Sequence, residues 1–369
     1  MDETNFSKSV YLHIPFCLKK CAYCAFLSVS DLNLRTQYVE KLLKEIKEFY
    51  CGETLETLYF GGGTPSLLEI DHIEKILKSF NFDIDCETTL EVNPKTVNLE
   101  KLKALFDLGI NRISLGVQAF DDDLLKIAGR VHNSYDALKT IENILKAGFE
   151  NFSIDLIYGL PNQTLNSWQK TLDVAKTVGA KHISLYGLKI EENTPFARNI
   201  PKNLPNDDLQ ADMYELALEN FSNWNHYEFS NFALNEKYRS KHNLTYWKMR
   251  PYYGFGLGAS GFLNNRRYQN EIEMEKYLNN PTEKKIFEPY SCQNLLEEHI
   301  FLGFRLNEGI FVDEINKKFQ IDFDKKYALQ LEKFIKNGFI QKTLQGYKLT
   351  KSGVLLSNSV LCEFLGDED

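Results

Sequence analysis

Short β-rich runs and helical patterns alternate six times in the first half of the chain, and this alternation restricts the possible folds more than any other feature. The runs rich in β-branched and aromatic residues cover residues 9–14, 55–60, 88–93, 112–117, 152–158 and 182–188. Apolar residues at helical spacing lie between them, and glycine follows three of these patterns, as it often does at a helix end. Strands that are each followed by a helix are typical of a parallel sheet covered by helices. The sequence therefore predicts an α/β fold.

The repeat stops near residue 195, where three prolines within eleven residues indicate a connector. An aromatic and glycine-rich stretch without a clear period follows at 227–262. The last 80 or so residues contain three helical patterns and a hairpin pattern, which together are typical of a winged-helix-like end. We therefore predict three parts, namely residues 1–200, an extension at 201–289, and a smaller, mainly helical C-terminal domain at 290–369.

The overall charge argues against one class of function. The formal net charge is −8, whereas a protein that binds nucleic acid broadly needs an excess of Lys and Arg on one face. We expect no nucleic-acid partner and no integral membrane segment, because no apolar run is as long as a membrane span. The first five residues do not resemble a signal peptide. The expected location is therefore the cytoplasm.

Three of the seven cysteines lie within eight residues, at Cys17, Cys21 and Cys24. In a reducing compartment such clustering favours metal ligation over disulfide bonds. Thiolates bind iron–sulfur clusters, and a [4Fe–4S] cluster normally takes four of them. Zinc would need a fourth Cys or His nearby, and a covalently attached haem would need His at the position of Ala25. The spacing therefore predicts a [4Fe–4S] cluster, with a zinc site or a redox pair as alternatives.

Three protein ligands leave one iron of such a cluster with an open position, as in catalytic metal sites that accept a substrate. An open iron can chelate the amino and carboxylate groups of S-adenosylmethionine. An electron from the cluster can then cleave the sulfonium C–S bond and generate a 5′-deoxyadenosyl radical. The motif therefore predicts S-adenosylmethionine as cofactor, together with a reductant for the cluster.

Two motifs give the chain a family resemblance. The YLHIPFC run ends at Cys17, and a GGGTP run begins at Gly61, directly after a predicted strand. With the cysteine spacing, these runs resemble the radical S-adenosylmethionine (SAM) superfamily, in particular the branch that holds oxygen-independent coproporphyrinogen III dehydrogenases and HemW-type haem chaperones. The resemblance extends over nearly the whole chain. It implies a partial (β/α)6 barrel for residues 1–200 and a domain like the C-terminal domain of that branch for 290–369.

The resemblance also implies a set of cofactor contacts. The matching positions are Tyr11, Tyr23, Gly62, Gly63, Thr64, Glu91, Gln118, Arg130 and Asp155. Glycine permits close approach of the backbone, and free N–H groups there can bind the polar end of a ligand. Arginine can hold a carboxylate through two hydrogen bonds, and carboxylates can accept hydrogen bonds from ribose hydroxyls or an ammonium group. Most of these residues fall at or just after predicted strand ends, where parallel α/β folds collect their chemistry.

Two positions distinguish the members of the branch. The dehydrogenases carry a further cysteine two residues after the third, where this chain has Phe26. The run from His242 to Trp247 resembles the HNxxYW signature of HemW-type proteins. Imidazole is a common axial ligand of haem, which makes His242 a candidate haem ligand. The alternative, a hydrogen-bonded packing residue, remains open, and His13 is interpreted as structural or as flanking the cluster.

The resemblance therefore implies a haem chaperone that binds haem, a [4Fe–4S] cluster and S-adenosylmethionine. It would pass haem to haem-requiring client proteins, such as respiratory enzymes, without coproporphyrinogen dehydrogenase activity. The alternative is an oxygen-independent coproporphyrinogen III dehydrogenase, which carries out radical oxidative decarboxylation in porphyrin synthesis. A radical methyltransferase is a third, weaker hypothesis.

Overall fold

The computed structural model describes residues 7–366. Six parallel strands form its centre, and each pairs with the next one along the chain. The strands are β1 (Ser9–Ile14), β2 (Thr54–Gly62), β3 (Asn81–Val92), β4 (Arg112–Gln118), β5 (Phe152–Tyr158) and β6 (His182–Gly187). Strands in sequential order with every crossover on the same side curve into a barrel wall.

Helices connect these strands and cover the outside of the sheet. They are α1 (Arg35–Phe49), α2 (Ile70–Leu77), α3 (Leu99–Asp107), α4 (Asp122–Ile127), α5 (Ser134–Lys146) and α6 (Leu165–Thr177), with short 3-10 turns at Leu32–Leu34 and Pro65–Leu67. Four of them begin at a residue whose side chain accepts a hydrogen bond from the first turn, namely Asn98, Asp121, Asn133 and Thr164. Such caps satisfy N–H groups that have no partner inside the helix. The local sequence therefore fixes where these helices start.

The strand predictions differ from the structure mainly at β3, which begins at Asn81 rather than residue 88. Its first five residues are exposed, and of these Asn81 and Phe82 pair with Thr54 and Leu55, before a register shift between Leu55 and Thr57. Polar and apolar residues alternate at 81–85, so a period-2 strand pattern was present there and was missed. The short helix α4 was also not predicted.

The 201–289 segment extends the same sheet at both edges. The short helix α7 (Pro195–Arg198) precedes it, and its first elements are α8 (Asp207–Asn220), β7 (Asn225–Glu228), β8 (Asn231–Ala233), a 3-10 turn at Glu236–Tyr238, α9 (Lys241–Trp247) and β9 (Tyr253–Phe255). β8 pairs antiparallel with β6, and β9 pairs parallel with β1, which gives a nine-stranded sheet. Side chains from both sides of residue 200 share one apolar core. Sheet and core therefore run across the predicted boundary.

The remaining elements form two smaller units. β10 (Ser260–Leu263), β11 (Arg266–Asn270) and β12 (Lys284–Ile286) form an antiparallel sheet beside α10 (Met274–Asn279). The C-terminal part contains α11 (Cys292–Arg305), β13 (Ile310–Phe311), α12 (Val312–Phe319), α13 (Phe323–Lys326), α14 (Ala328–Lys336), β14 (Ile340–Lys342), β15 (Gly346–Leu349), α15 (Lys351–Leu355) and α16 (Ser357–Cys362). These C-terminal elements enclose a second apolar core, and the predicted hairpin corresponds to β14 and β15.

The predicted fold class is confirmed as a partial α/β barrel with a smaller, mainly helical C-terminal part. Within residues 7–366, no helix combines the length and the apolar character that crossing a membrane requires. The first five residues, on which the signal-peptide expectation depended, lie outside the described residues.

Candidate functional site

The loop that follows β1, here called the cysteine loop (residues 15–29), carries all three clustered cysteines. Its two ends are joined by a hydrogen bond from the Val29 N–H to the Pro15 carbonyl, 2.7 Å long. Its middle is held by a 3.0 Å hydrogen bond from the Ala22 N–H to the carbonyl of Ala128, just after α4. The backbone therefore holds the loop in place over the carboxyl ends of the strands.

The three thiols are half-buried, and their surroundings suit a cationic partner. Burial raises the pKa of Cys17 and of Cys24, and the nearby Cys21 thiolate raises both further. The Cys17 Sγ lies 3.6 Å from the hydroxyl of Thr64, and the Cys21 Sγ accepts a 3.4 Å hydrogen bond from Arg130. Thiols whose ionisation is opposed by burial and by each other are readily deprotonated when they bind a metal. The donor set therefore fits an iron–sulfur cluster.

The second question is whether these side chains could hold a single metal ion instead of a cluster. Among residues 7–366, no group of three or more His, Cys, Asp or Glu side chains is placed to hold one metal ion. The irons of a cluster each take a separate thiolate, so their ligands need not converge on one point. The spacing of the three thiols is therefore compatible with a cluster and does not form a single-ion site.

Arg130 connects the cysteine loop with the strand ends. Besides Cys21, its guanidinium donates to the side-chain oxygen of Asn93 and, over 2.7 Å, to the Gly116 carbonyl. Asn93 in turn donates to the Thr64 hydroxyl over 2.8 Å. This network joins the carboxyl ends of β2, β3 and β4 to the loop. Arg130 is thus already bound to protein groups, although its buried Nε has no hydrogen-bond partner.

The glycine run packs against the start of the cysteine loop. Gly62 has a φ of +109°, and a Cβ placed there would lie 2.6 Å from the His13 ring. A Cβ on Gly63 would lie 2.8 Å from the carbonyl oxygen of Phe16. Only glycine fits at these positions without displacement of β1 or the loop.

The amide groups of the glycine run differ from the expectation. The Gly62 N–H donates to the Glu91 carboxylate over 3.1 Å, and the Gly63 N–H donates to the Ile14 carbonyl over 2.9 Å. The expectation of free N–H groups at Gly62 and Gly63 was therefore wrong in this structure. The two residues contribute close packing rather than unpaired donors.

Glu91 and Asp155 are two carboxyl groups inside the barrel that lie close enough for their charges to interact. Glu91 accepts a 2.9 Å hydrogen bond from Tyr59, and Asp155 accepts one of 3.1 Å from Ser114. Burial raises the pKa of Glu91 to about 8 despite the hydrogen bond from Tyr59, and the Asp155 charge raises it further. Burial also raises the pKa of Asp155. Perturbed carboxyl groups of this kind are enriched at functional sites.

Gln118 ends β4 in a strained backbone conformation. Its φ is +69°, in the left-handed region that a non-glycine residue adopts at a cost of about 1–3 kcal/mol. The register between β4 and β5 shifts between Gly116 and Gln118, which turns the Gln118 side chain back toward Gly116. Strain of this type commonly persists where a ligand contact requires it.

Of the two predicted tyrosines, Tyr11 lies on β1 and Tyr23 lies in the cysteine loop. Tyr11 packs on Tyr59 with ring centroids 6.2 Å apart and donates to the Nδ1 of His13 over 3.1 Å. His13 can accept there because its Nε2–H donates to the Leu27 carbonyl of the cysteine loop, 2.8 Å away. Tyr23 is hydrogen-bonded to Arg130, and its pKa is raised by burial. His13 thus flanks the loop, in agreement with its interpretation from sequence.

His242 lies apart from these residues, at the amino-terminal end of the barrel. It is 1% exposed, its Nδ1 is 2.8 Å from the Thr57 hydroxyl, and its Nε2 is 2.7 Å from the Tyr246 hydroxyl. Its ring stacks on Tyr59 at 4.9 Å between centroids, and burial lowers its pKa to about 3. Both ring nitrogens therefore have partners. The geometry favours the packing alternative, and haem ligation by His242 stays a prediction.

Helix α9, which carries His242, closes this end of the barrel. The Glu87 carboxylate accepts hydrogen bonds from the backbone N–H groups of Lys241 and His242, at 3.1 and 3.0 Å. Farther along the helix, the Thr245 hydroxyl contacts that of Ser9 at 3.1 Å. Ser9, Thr57 and Glu87 are inward-facing residues that pair in register on β1, β2 and β3. The barrel is therefore open toward the cysteine loop and closed by α9.

Sequence reasoning missed Tyr59, Asn93 and Ser114, which position the predicted residues. Each stands an even number of places from a recognised residue: Tyr59 two before Gly61, Asn93 two after Glu91 and Ser114 four before Gln118. Because side chains alternate between the two faces of a strand, such neighbours share the inward face. The period of two was therefore the signal that could have identified them.

Two family models match the chain. The Radical SAM superfamily model matches residues 11–175, which include the cysteine loop and the strands up to β5. The model of the HemN C-terminal domain matches residues 290–356. The two matches fall on the barrel and on the part with the second core.

Individual relatives match over the full length. The chain is 39% identical to "Heme chaperone HemW" of Lactococcus lactis, with 98% of each chain covered. It is 31% identical to the Escherichia coli protein of the same name, with 97% of this chain and 98% of that one covered. The crystal structure of E. coli coproporphyrinogen III oxidase (HemN) superimposes with a TM-score of 0.84 over 96% of this chain and 89% of that one, at 23% identity, which shows the fold. The chain belongs to the HemW family of the radical SAM superfamily.

Proposed function

We propose that this chain is a haem chaperone that binds haem, a [4Fe–4S] cluster and S-adenosylmethionine, and that delivers haem to client proteins. The observation that carries the proposal is the full-length similarity to proteins named Heme chaperone HemW, at 31–39% identity. The similarity spans the barrel, the HNxxYW helix and the C-terminal part, so it is not limited to a shared cofactor domain.

Cys17, Cys21 and Cys24 are the proposed cluster ligands. Their support is the fixed cysteine loop, the half-buried thiols and the Arg130 guanidinium beside Cys21, which offsets the negative charge of the thiolates. When bound, the cluster and S-adenosylmethionine supply one-electron chemistry at the open iron. An external reductant is part of the proposal, because the protein groups around the loop are not electron donors.

The proposed contacts of S-adenosylmethionine surround the barrel mouth beside the cysteine loop. They are Tyr11, Tyr23, Gly62, Gly63, Thr64, Glu91, Gln118, Arg130 and Asp155. Glu91 and Asp155 keep part of their surface exposed toward the barrel interior, so both can accept hydrogen bonds from a ligand. Arg130 contributes by holding Cys21, Asn93 and Gly116 in position, since its terminal nitrogens are already engaged.

Phe26 separates this proposal from the dehydrogenase alternative. The position that carries a further cysteine in the dehydrogenases is occupied here by a side chain that is 66% exposed. No thiol is therefore available there. The structural likeness to HemN supports the fold and does not extend to its reaction.

The remaining parts of the proposal concern partners and location. Haem and haem-requiring proteins, such as respiratory enzymes, are the proposed partners, and the cytoplasm is the proposed location. His242 enters the proposal as the residue that anchors α9, because both of its ring nitrogens are hydrogen-bonded. The residue that ligates the haem iron is left open.

The decisive experiment compares haem binding with porphyrinogen turnover. The anaerobically reconstituted chain is titrated with haem, and a parallel sample receives coproporphyrinogen III, a reductant and S-adenosylmethionine. We expect saturable haem binding and no protoporphyrinogen. Turnover of coproporphyrinogen would refute the chaperone assignment in favour of the dehydrogenase.

A second experiment tests the cluster ligands. Replacement of Cys17, Cys21 or Cys24 by Ala should abolish the [4Fe–4S] absorption, because too few protein ligands remain. Cys362→Ala, which changes an exposed thiol far from the loop, is the matched control and should load normally. A fully loaded cluster in any of the three loop variants would contradict the assignment.

A further inference from the structure

One part of the barrel interior is lined by small polar side chains. Many parallel β/α barrels fill their interior with bulky branched side chains. Here five inward positions carry hydroxyl-bearing residues, namely Thr57, Thr89, Ser114, Ser153 and Ser184, all of them buried. These residues line this part of the wall with hydrogen-bonding groups.

Arg112 stands among these hydroxyls without a partner. It is the first residue of β4, pairs in register with Thr89 and lies two residues before Ser114, which places its side chain on the inward face. It is 2% exposed, yet within residues 7–366 its side chain forms no hydrogen bond or ion pair, and its buried Nε is unsatisfied. The hydroxyl of Thr89 beside it is 0% exposed and also unpartnered.

The neighbouring groups do not neutralise this guanidinium. The Glu91 carboxylate is bound by Tyr59 and by the Gly62 amide, and neither Glu91 nor Asp155 forms an ion pair with Arg112. The charge of Arg112 reaches both carboxyl groups only through space. A buried ionised group without a paired countercharge is strongly disfavoured, so the Arg112 guanidinium has hydrogen-bonding capacity that a ligand of opposite charge can use.

The histidines that face Arg112 add no negative charge. Burial lowers the pKa of His242 to about 3 and that of His182 well below its usual value, with Arg112 contributing to both. Both rings are therefore neutral near pH 7. The buried Nδ1 of His182 has no hydrogen-bond partner, which adds a further unsatisfied group to this layer.

We propose that the barrel interior, one side-chain layer below Glu91 and Asp155, binds a carboxylate through Arg112 and the Thr89 hydroxyl. The planar guanidinium presents parallel N–H groups that match the two oxygens of a carboxylate. The ligand enters from the cysteine-loop side, because α9 closes the other end. This site lies beyond the contacts proposed for S-adenosylmethionine, and no residue of it belongs to that set.

The first test uses propionate as a probe on the cluster-loaded chain. Melting temperature is measured against sodium propionate and against propionamide, a neutral molecule of similar shape, at constant ionic strength. Propionate should raise the melting temperature and propionamide should not. In Arg112→Gln the apparent propionate affinity should fall at least tenfold, whereas Arg266→Gln, which removes an exposed arginine on β11, should retain it. An equal shift in Arg112→Gln and the unmodified chain would overturn the site.

A comparison of melting temperatures without ligand distinguishes ligand binding by Arg112 from a purely structural role. Without propionate, Arg112→Gln should melt at the same temperature as the unmodified chain or higher, because an unpaired buried charge has been removed. A clearly lower melting temperature would mean that Arg112 is paired in the free protein, which would overturn the proposal.

A third arm identifies the source of the carboxylate, and this arm rests on the proposed function. Haem, which carries two propionates, is compared with its dimethyl ester. If a haem propionate occupies the site, esterification weakens binding to the unmodified chain at least tenfold and has no effect in Arg112→Gln. Equal binding of acid and ester excludes haem as the source. Absence of any haem binding would refute the chaperone proposal, while the propionate result would still decide the site.

Discussion

Glu45 and Arg112 are both buried charged residues, but their surroundings are opposite. Glu45, on α1, is 0% exposed, and its carboxylate accepts four hydrogen bonds. The donors are the Gly256 N–H at 2.9 Å, Asn270 at 2.7 Å, Tyr277 at 2.7 Å and the Lys284 ammonium at 2.5 Å. These contacts attach β9, β11, α10 and β12 to the outside of the barrel.

The barrel interior has the reverse arrangement. The Arg112 side chain has no hydrogen bond within residues 7–366, and the Thr89 hydroxyl beside it is unpaired as well. A saturated buried charge holds segments together and has no capacity left for a ligand. A buried charge without hydrogen-bond partners does not stabilise the fold, and it can bind a ligand. The comparison separates buried polar groups whose hydrogen bonds maintain the fold from buried polar groups that still have hydrogen-bonding capacity for a ligand.

Breaking the saturated cluster should have the largest effect. Lys284→Met leaves the Glu45 carboxylate buried without its countercharge, which should lower the free energy of unfolding by about 3–5 kcal/mol. Urea unfolding of the full chain measures the change. The matched control is Lys285→Met, an exposed neighbour on the same strand, which should stay within about 0.5 kcal/mol. Similar stabilities of the two variants would contradict the assignment of Glu45 as an anchor.

His242 is predicted to behave like Glu45 and not like a free ligand. His242→Phe leaves the buried hydroxyls of Thr57 and Tyr246 without their partner, which should cost about 2 kcal/mol or more of unfolding free energy. The absorption spectrum of each bound haem should be unchanged. A shifted haem spectrum with unaltered stability would instead support His242 as the iron ligand.

We predict that Glu91, in the barrel interior, makes the stability of the protein depend on pH. Its folded pKa of about 8 lies above the unfolded value of about 4.3, so the folded state holds the proton more tightly. This contribution to stability is complete below about pH 4.3 and is lost as the pH rises to about 8. Measured on the cluster-free chain, the difference between the unmodified protein and Glu91→Gln should change by about 1–2 kcal/mol across that window, since the partly open interior and the Asp155 charge reduce the full effect.

The buried histidines do not mask this pH dependence of the stability difference. The lowered pKa values of His242 and His182 give stability a slope of opposite sign, but the slope is common to both proteins and cancels in the difference. A difference curve that is flat between pH 4.3 and 8 would show that Glu91 ionises normally.

The smallest effect is expected at Phe26, which is 66% exposed although it lies in the cysteine loop. Phe26→Ser should change stability by no more than about 0.5 kcal/mol and leave the cluster absorption unaltered. Phe16→Ser, in the same loop but with a 0% exposed side chain, is the matched contrast and should lose about 3–5 kcal/mol. Coproporphyrinogen turnover by Phe26→Cys would show that this one position separates the two functions.

Local patterns were sufficient for much of the molecule. The strand at 152–158 has the predicted bounds, because the enrichment in β-branched and aromatic residues is a property of neighbouring residues. The outer strands β7, β8 and β9 were not predicted. Each is only three or four residues long and is defined by pairing with β6 or β1, far away in sequence.

For the candidate site too, local patterns identified the residues but not their hydrogen-bond partners. The motifs identified the cysteine loop, the glycine run and the strand-end residues, and the structure brings Cys21, Arg130, Thr64 and Glu91 together around one mouth. The hydrogen-bond partners could not be predicted. Gly62 and Gly63 turned out to be bonded within the protein, because the direction of an N–H depends on the strands packed beside it.

The sequence by itself determined the β–α repeat, the clustering of three cysteines and the family, since all three depend on residue type and short-range spacing. Only the tertiary structure decided which buried polar groups are satisfied. Glu45 and Lys284 are 239 residues apart, and their pairing follows from the docking of the extension on α1. The isolation of the Arg112 side chain follows from its place in the sheet, in register with Thr89, whose short side chain forms no hydrogen bond to it.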